Sequence, residues 1–449
     1  MLLPATVPFG QAMREAHFSF ATSYVPLNHG SFGAFPVPVA KHQRLLQRHT
    51  ELRPDTFIRF TYPQLLLQAR QAIAPLLGAE TEEVVFVPNA LTGINTVLRN
   101  LSYTEGDVIL HFSTIYGGCL KTIQSLEETT PVRGYSIDLV YPIKDAEILR
   151  RVDDALFQIR QQGRRVALAV FDTVLTFPGV RFPWESLVRL YKAHGVMTCI
   201  DAAHGIGHID LTHLARVGPD FVITNCYKWL FVPRGCSVLY VPKRNQHLIK
   251  TSYPTDGRYL SEVDRDAFPP SIYFSALFEH VSTIDTTPYL SVLEALKFRE
   301  EVCGGEEQIR SYCSSLAKQG GELMASLMGT EVLETDDSTS NQCCFTNVRL
   351  PLYVLEEEKD GAAYARRGTG VHHRDAEDVA NWITERSVNK FDSYIAVRYY
   401  AGGFWTRLSG QIYLERADFA WAAGVLLELC GRVDRRSWRC LDGHTASTS

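Results

Sequence analysis

Short apolar runs recur between residues 83 and 241, each followed by a polar turn and then by a stretch of helical period. They are Glu83–Val87, Val108–Phe112, Ser136–Val140, Val166–Phe171, Val196–Ile200, Phe221–Thr224 and Ser237–Val241. Runs that are continuously apolar, rather than alternating, mark strands buried on both faces, and helical spacers between them favour parallel pairing. The pattern predicts an α/β fold, a mostly parallel seven-stranded sheet with helices on both sides. Ahead of the first strand, Leu65, Leu66, Leu67, Arg70 and Ile73 set a helical period over 64–77.

The two ends of the chain read differently. Pro36, Pro38 and the cluster Asn28-His29-Gly30-Ser31-Phe32-Gly33 predict an irregular N-terminal arm over 1–45. A large domain would follow over 46–300, and a long helix from Leu290 to Val302 carries the chain into a smaller α+β domain, 301–449. That domain is expected to hold a helix over 304–329 and strands at Val332–Glu334, Cys343–Arg349 and Tyr394–Tyr399. The polar stretch Leu355–Asp375 reads as a mobile loop or a lid, and His444–Ser449 as a disordered tail.

Composition narrows the classes. At 45% hydrophobic and 21% charged, the 449 residues make an ordinary globular protein. A net charge of −5 argues against nucleic acid as a partner. No apolar run approaches the roughly 20 residues that span a bilayer. The N-terminus lacks the basic and long apolar regions of a secretory signal. Ten cysteines show neither CxxC pairs nor Cys/His ligand spacing. They predict free thiols packed as small hydrophobes, no metal site, and a reducing, cytoplasmic location.

Candidate chemistry gathers at the carboxyl ends of the runs. Lys228 stands between the run Phe221–Ile223 and a turn at Pro233-Arg234-Gly235, and Val196–Ile200 ends in Asp201-Ala202-Ala203-His204. An acid at a strand end, with a lysine on the loop after a later strand, is what a pyridoxal phosphate site requires. The lysine forms the Schiff base and the carboxylate keeps the pyridine nitrogen protonated. By itself, the Lys228-Trp229 pair reads more simply as a solvated lysine beside a packed tryptophan. Other segments join it at the same sheet edge, where open α/β sheets bind ligands. Pro88-Asn89-Ala90-Leu91-Thr92-Gly93 opens a helix and offers N–H groups and a hydroxyl to a phosphate, although an Asn N-cap explains the same residues. Tyr116, before Gly117-Gly118, is placed to stack on a flat ring, or is an ordinary turn tyrosine. Asp172 and Thr176 add a carboxylate and a hydroxyl.

Asp201-x-x-His204, Asn225-x-x-Lys228-Trp229 and Pro233-Arg234-Gly235 resemble the motifs of fold-type I pyridoxal 5'-phosphate enzymes of aminotransferase class V, in the isopenicillin N epimerase-like branch. The likeness runs from Tyr24–Ser31 through Pro178–Trp184 and Tyr240–Gln246 to Arg407–Tyr413, and is greatest toward fungal enzymes of ergothioneine and loline biosynthesis. The resemblance implies that Lys228 carries the cofactor, Asp201 pairs with the pyridinium, and His204 supports the ring or its O3′ side. Leu91, Thr92 and Gly93 would hold the phosphate, and Asp172, Thr176, Asn225 and Tyr227 would line the cofactor. Tyr116 would cover the ring face and act as an acid toward a leaving group. Arg407 would grip the substrate carboxylate in a fork, with Asn28 and His29 beside it. Ser282-Thr283-Ile284-Asp285 matches a segment that reaches the phosphate from the neighbouring subunit, so Thr283 implies a homodimer.

The departures from that pattern bear on the reaction. Tyr227 replaces a histidine, Ala202 and Ser282 replace glycines, and Thr255-Asp256-Gly257 replaces Ser-His-Gly. An altered substrate side implies an enzyme of specialised metabolism. It would form a Cα carbanion from a modified amino acid, then eliminate or make a carbon–carbon bond. The retained Tyr116 and Arg407 keep open a C–S lyase of ergothioneine type, acting on a cysteine sulfoxide conjugate. An inert binding protein is the remaining alternative, opposed by the presence of both Lys228 and Asp201.

Overall fold

The computed structural model describes residues 6–334, 336–355 and 370–435. Most of the Leu355–Asp375 stretch, and all of the tail expected at 444–449, lie outside the described residues. Seven strands form one sheet: β1 (Val84–Val87), β2 (Asp107–Phe112), β3 (Arg133–Ile137), β4 (Arg165–Asp172), β5 (Met197–Ala202), β6 (Phe221–Asn225) and β7 (Ser237–Tyr240). Their order is β1-β7-β6-β5-β4-β2-β3. Only β7 runs antiparallel to its neighbours. Alternate residues feed two cores. Val84 and Phe86 of β1 pack into one, and Val85 and Val87 into the other, so every position must be apolar. Ile94, Val97 and Leu98 of the helix Ala90–Asn100, with Cys119, Ile123 and Leu126 of Gly117–Thr129, cover the second face.

Three expectations are corrected. The third strand lies three residues earlier than the apolar run suggests. As the sheet edge it carries exposed and half-buried residues, while the apolar Leu139 and Val140 follow the strand. The N-terminal arm is partly helical, with helices at Gln11–His17, His29–Phe32 and Val37–Leu52. Pro36 and Pro38 do not break the third of these. They occupy its N-cap and first turn, where no N–H is needed. In the C-terminal part, the strand expected at 332–334 shrinks to a bridge from Val332 to Val348.

That part contains β8 (Phe345–Arg349), β9 (Val354–Leu355), β10 (Val371–His372), β11 (Ala396–Tyr400) and β12 (Gly403–Ser409). β11, β12 and β8 form an antiparallel sheet, backed by helices Glu306–Met328, Ala376–Phe391 and Arg416–Asp434. β12 escaped the sequence pattern because its buried residues include Thr406, Arg407 and Ser409. The arm is clamped between this sheet and the Lys228 turn. Ser409 N–H donates to Leu27 O at 2.9 Å, and a Cβ on Gly33 (φ 66°) would lie 1.8 Å from Tyr227 O, an approach only glycine permits. Among the described residues, no helix is long and apolar enough to cross a membrane.

Candidate active site

The carboxyl ends of β4, β5 and β6, the turn after β2, the arm and β12 enclose a cavity of about 460 Å³. Its lining includes Ser31, Tyr116, Asp201, His204, Lys228 and Arg407. A larger groove of about 800 Å³ between the Glu306–Met328 and Arg416–Asp434 helices is lined by no lysine, histidine or cysteine. Chemistry therefore selects the smaller cavity.

Asp201, at the end of β5, is 4% exposed. Its Oδ1 accepts the Ala203 N–H at 2.9 Å, and its Oδ2 accepts the Cys119 thiol at 3.3 Å. Asp172 is its register partner on β4. Burial, and then the neighbouring Asp201, push the Asp172 carboxyl well above the usual range. Burial raises the Asp201 carboxyl as well, but the Ala203 N–H, Lys228 and the Cys119 thiol oppose it, so the negative charge of the pair is favoured on Asp201.

Lys228 follows β6 in the short helix Cys226–Trp229. Its Nζ lies 3.2 Å from His204 Nε2, and the Trp229 indole N–H donates to His204 Nδ1 at 3.2 Å. Burial lowers the Lys228 pKa to about 8, against the opposing pull of Asp201. Asn225 Oδ1 accepts the Ala90 N–H at 2.9 Å, tying the end of β6 to the start of the helix Ala90–Asn100. That helix contributes Asn89, Ala90 and Leu91 to the wall, bringing the positive end of its dipole to the cavity.

Arg407, on β12, is 4% exposed. Its guanidinium donates to Thr176 O at 2.5 Å, and to Asn28 Oδ1 and Ser31 Oγ at 3.0 Å each, and it sits 4.6 Å over the Phe345 ring. Among the described residues it has no carboxylate partner, and its buried Nε is unpaired. Gly179 makes room for it, since a Cβ there would approach Arg407 Cδ to 2.8 Å.

Not every residue singled out in the sequence lines this cavity. Lys228, Asp201, His204, Tyr116, Leu91, Thr176, Asn225, Tyr227 and Arg407 do. Asn28 acts one step back, through Arg407. His29 is buried and bonds Tyr413 Oη through Nδ1 at 2.6 Å. Thr92 lines a neighbouring cavity and its hydroxyl donates to Asn89 Oδ1 at 3.1 Å. Gly93 gives its N–H to Asn89 O and lets the helix pack on Ile223. Thr283 lies in a separate cavity with Arg59, Arg258 and Glu279. Sequence reasoning missed Cys119, three residues after Tyr116 on the helical face turned toward Asp201. It also missed Phe345, whose ring touches His204, Trp229 and Arg407.

The donor set fits pyridoxal phosphate. A lysine of lowered pKa, a buried carboxylate holding the negative charge of its pair, and a helix N-terminus suit the aldehyde, the ring nitrogen and the phosphate in turn.

Comparison with known proteins points the same way. A model of the aminotransferase class-V family matches residues 59–353. The chain is 35% identical to the L-cysteine desulfhydrase-like protein lolT1 of Epichloe uncinata, over 96% of this chain and 98% of that protein. It is 30% identical to the hercynylcysteine sulfoxide lyase of Schizosaccharomyces pombe, over 94% and 98%. Among solved structures, the cystine C–S lyase C-DES superposes with a TM-score of 0.67 at 16% identity, covering 89% of this chain and 96% of that one. The Escherichia coli cysteine desulfurase CsdA gives 0.68 at 16% identity, over 95% and 99%. At such identity the structural matches speak to the fold, which is that of fold-type I pyridoxal phosphate enzymes.

Proposed function

This chain belongs to the aminotransferase class V family and is a pyridoxal phosphate-dependent enzyme of the lyase kind, and we propose that it cleaves the bond between Cβ and a sulfur substituent of an α-amino acid. The observation that carries the reading is one cavity holding a lysine of lowered pKa and a buried arginine without a carboxylate partner, with a half-exposed tyrosine at its mouth. The cofactor, bound through Lys228, supplies an electron sink for the pair released at Cα.

The protein's own groups do the rest. Arg407 holds the substrate carboxylate, and Asn28, Ser31 and Thr176 fix the fork's direction. Asp201 keeps the proton on the ring nitrogen, while neutral Asp172 leaves that charge undivided. Lys228 Nζ takes the Cα proton, and the Tyr116 hydroxyl gives one to the departing sulfur. In sum, an S-substituted cysteine and water yield a thiol, pyruvate and ammonium. Thr283 faces a cavity away from its own Lys228, which suits a contact made to the phosphate of a second copy in a cytoplasmic homodimer.

A second reading, carbon–carbon bond formation in place of elimination, is favoured by Tyr227, which lines the cavity at the position where the family resemblance implies histidine. Incubation with S-substituted cysteines and their sulfoxides, followed by assay of pyruvate and ammonia, separates the two. Release of both supports elimination. A product that keeps its nitrogen supports bond formation.

A further inference from the structure

We propose that Trp229 is a positioning residue that fixes the proton of His204 on Nε2 and so favours the free-amine form of Lys228 over the ammonium. The inference rests on Lys228 being the reactive amine of the proposed function. It concerns protein atoms alone, so it stands or falls separately from the reaction that follows.

The argument is one of donors and acceptors. An indole nitrogen donates and never accepts. Its contact at 3.2 Å therefore requires a lone pair on His204 Nδ1. His204 is 1% exposed, and burial first, with the charge of Arg407 added to it, holds its pKa well below the ordinary imidazole value. A neutral imidazole with a lone pair on Nδ1 carries its proton on Nε2. That N–H faces Lys228 Nζ at 3.2 Å, and only the free amine has a lone pair to receive it. An ammonium would set two donors against each other.

Trp229 is itself held. Its ring stacks on His208 at 3.9 Å between centroids, and its carbonyl accepts from Arg299 Nη1 at 2.9 Å. His208 is fixed by the same logic. The Cys344 N–H donates to its Nε2 at 2.7 Å, leaving Nδ1–H to donate to His204 O at 2.8 Å. The chain of contacts thus runs from the residue before β8 to the reactive nitrogen. The other charged groups facing Lys228 act in both directions. Asp201 on β5 favours the ammonium, as Asp172 on β4 would if it ionised, while burial and Arg407 on β12 oppose it.

The test uses the full-length chain freed of cofactor, with cofactor re-uptake as the check on folding. The rate of reductive methylation of Lys228 by formaldehyde is followed against pH and read by peptide mass spectrometry. The parent should show a midpoint near 8. Trp229→Phe keeps a ring but removes the N–H, so His204 can offer Nε2 as an acceptor to an ammonium. The midpoint should then rise by about one unit, the equivalent of one hydrogen bond. His204→Gln should raise it similarly, and the double variant should rise no further than His204→Gln alone, because Trp229 acts through His204. A merely structural Trp229 would lower the melting temperature and leave the midpoint in place, which would overturn the proposal, as would additive shifts. Should Trp229→Phe fail to fold, ¹⁵N-histidine spectra of the parent decide. A His204 proton on Nε2 upholds the proposal, and one on Nδ1 overturns it.

Discussion

Replacing Arg407 by methionine should nearly abolish substrate capture while leaving stability almost unchanged. Burial lowers the Arg407 pKa from 12.5 to about 10, a cost to the charged form on the order of 3 kcal/mol. Because the folded pKa is the lower one, this cost is present in full at every pH below about 9. Against it stand three hydrogen bonds, to Thr176, Asn28 and Ser31, contributing about 1 kcal/mol each. The two nearly cancel, so methionine, of similar length, should shift the melting temperature by only a few degrees. A substrate carboxylate that loses a forked partner in a desolvated cavity forfeits about 3–5 kcal/mol, or roughly two to four orders of magnitude in kcat/KM. Thermal unfolding and steady-state kinetics on one preparation measure both. A collapse of the melting temperature with kcat/KM largely retained would refute the reasoning, because Arg407 would then be a structural cation.

The remaining expectations use the same site. Asp201→Asn should cut turnover by about a hundredfold or more, whereas Asp172→Asn, which replaces a carboxyl already neutral, should keep most of it; equal losses in single-turnover assays would mean the charge is assigned to the wrong partner. Tyr116→Phe should lower kcat by about 10²–10⁴ for a poor sulfur leaving group and much less for a good one, with KM nearly constant; a loss independent of the leaving group would remove Tyr116 as the acid. Cofactor uptake by the stripped chain should accelerate about tenfold per pH unit up to about 8 and then level off, since the deprotonated amine of Lys228 is the reacting form. An uptake rate that keeps climbing to pH 10 would show an unperturbed lysine.

The sheet and the floor of the site were legible in the sequence because both depend on local pattern. Two-sided burial makes β1 continuously apolar and puts the apolar runs Val108–Leu110 and Phe221–Ile223 into β2 and β6, and chain order alone puts Asp201 and Lys228 at one edge. What escaped depends on distance along the chain. β3 is an edge strand with a polar surface, and β12 hides Arg407 among buried polar residues, so neither announces itself by hydropathy. Cys119 approaches Asp201 across 82 positions of sequence, and Cys344 reaches His208 across 136. The Asn89–Gly93 motif caps its own helix, as an Asn N-cap would, and Thr92 turns its hydroxyl to Asn89.

The most direct test of the account is a product balance on S-substituted cysteines, with thiol, pyruvate and ammonia measured together by mass spectrometry and enzymatic assay. The account predicts the three in equal amounts from the parent protein and none from Lys228→Ala. A nitrogen-retaining product with a new carbon–carbon bond, or consumption undiminished in Lys228→Ala, would contradict it.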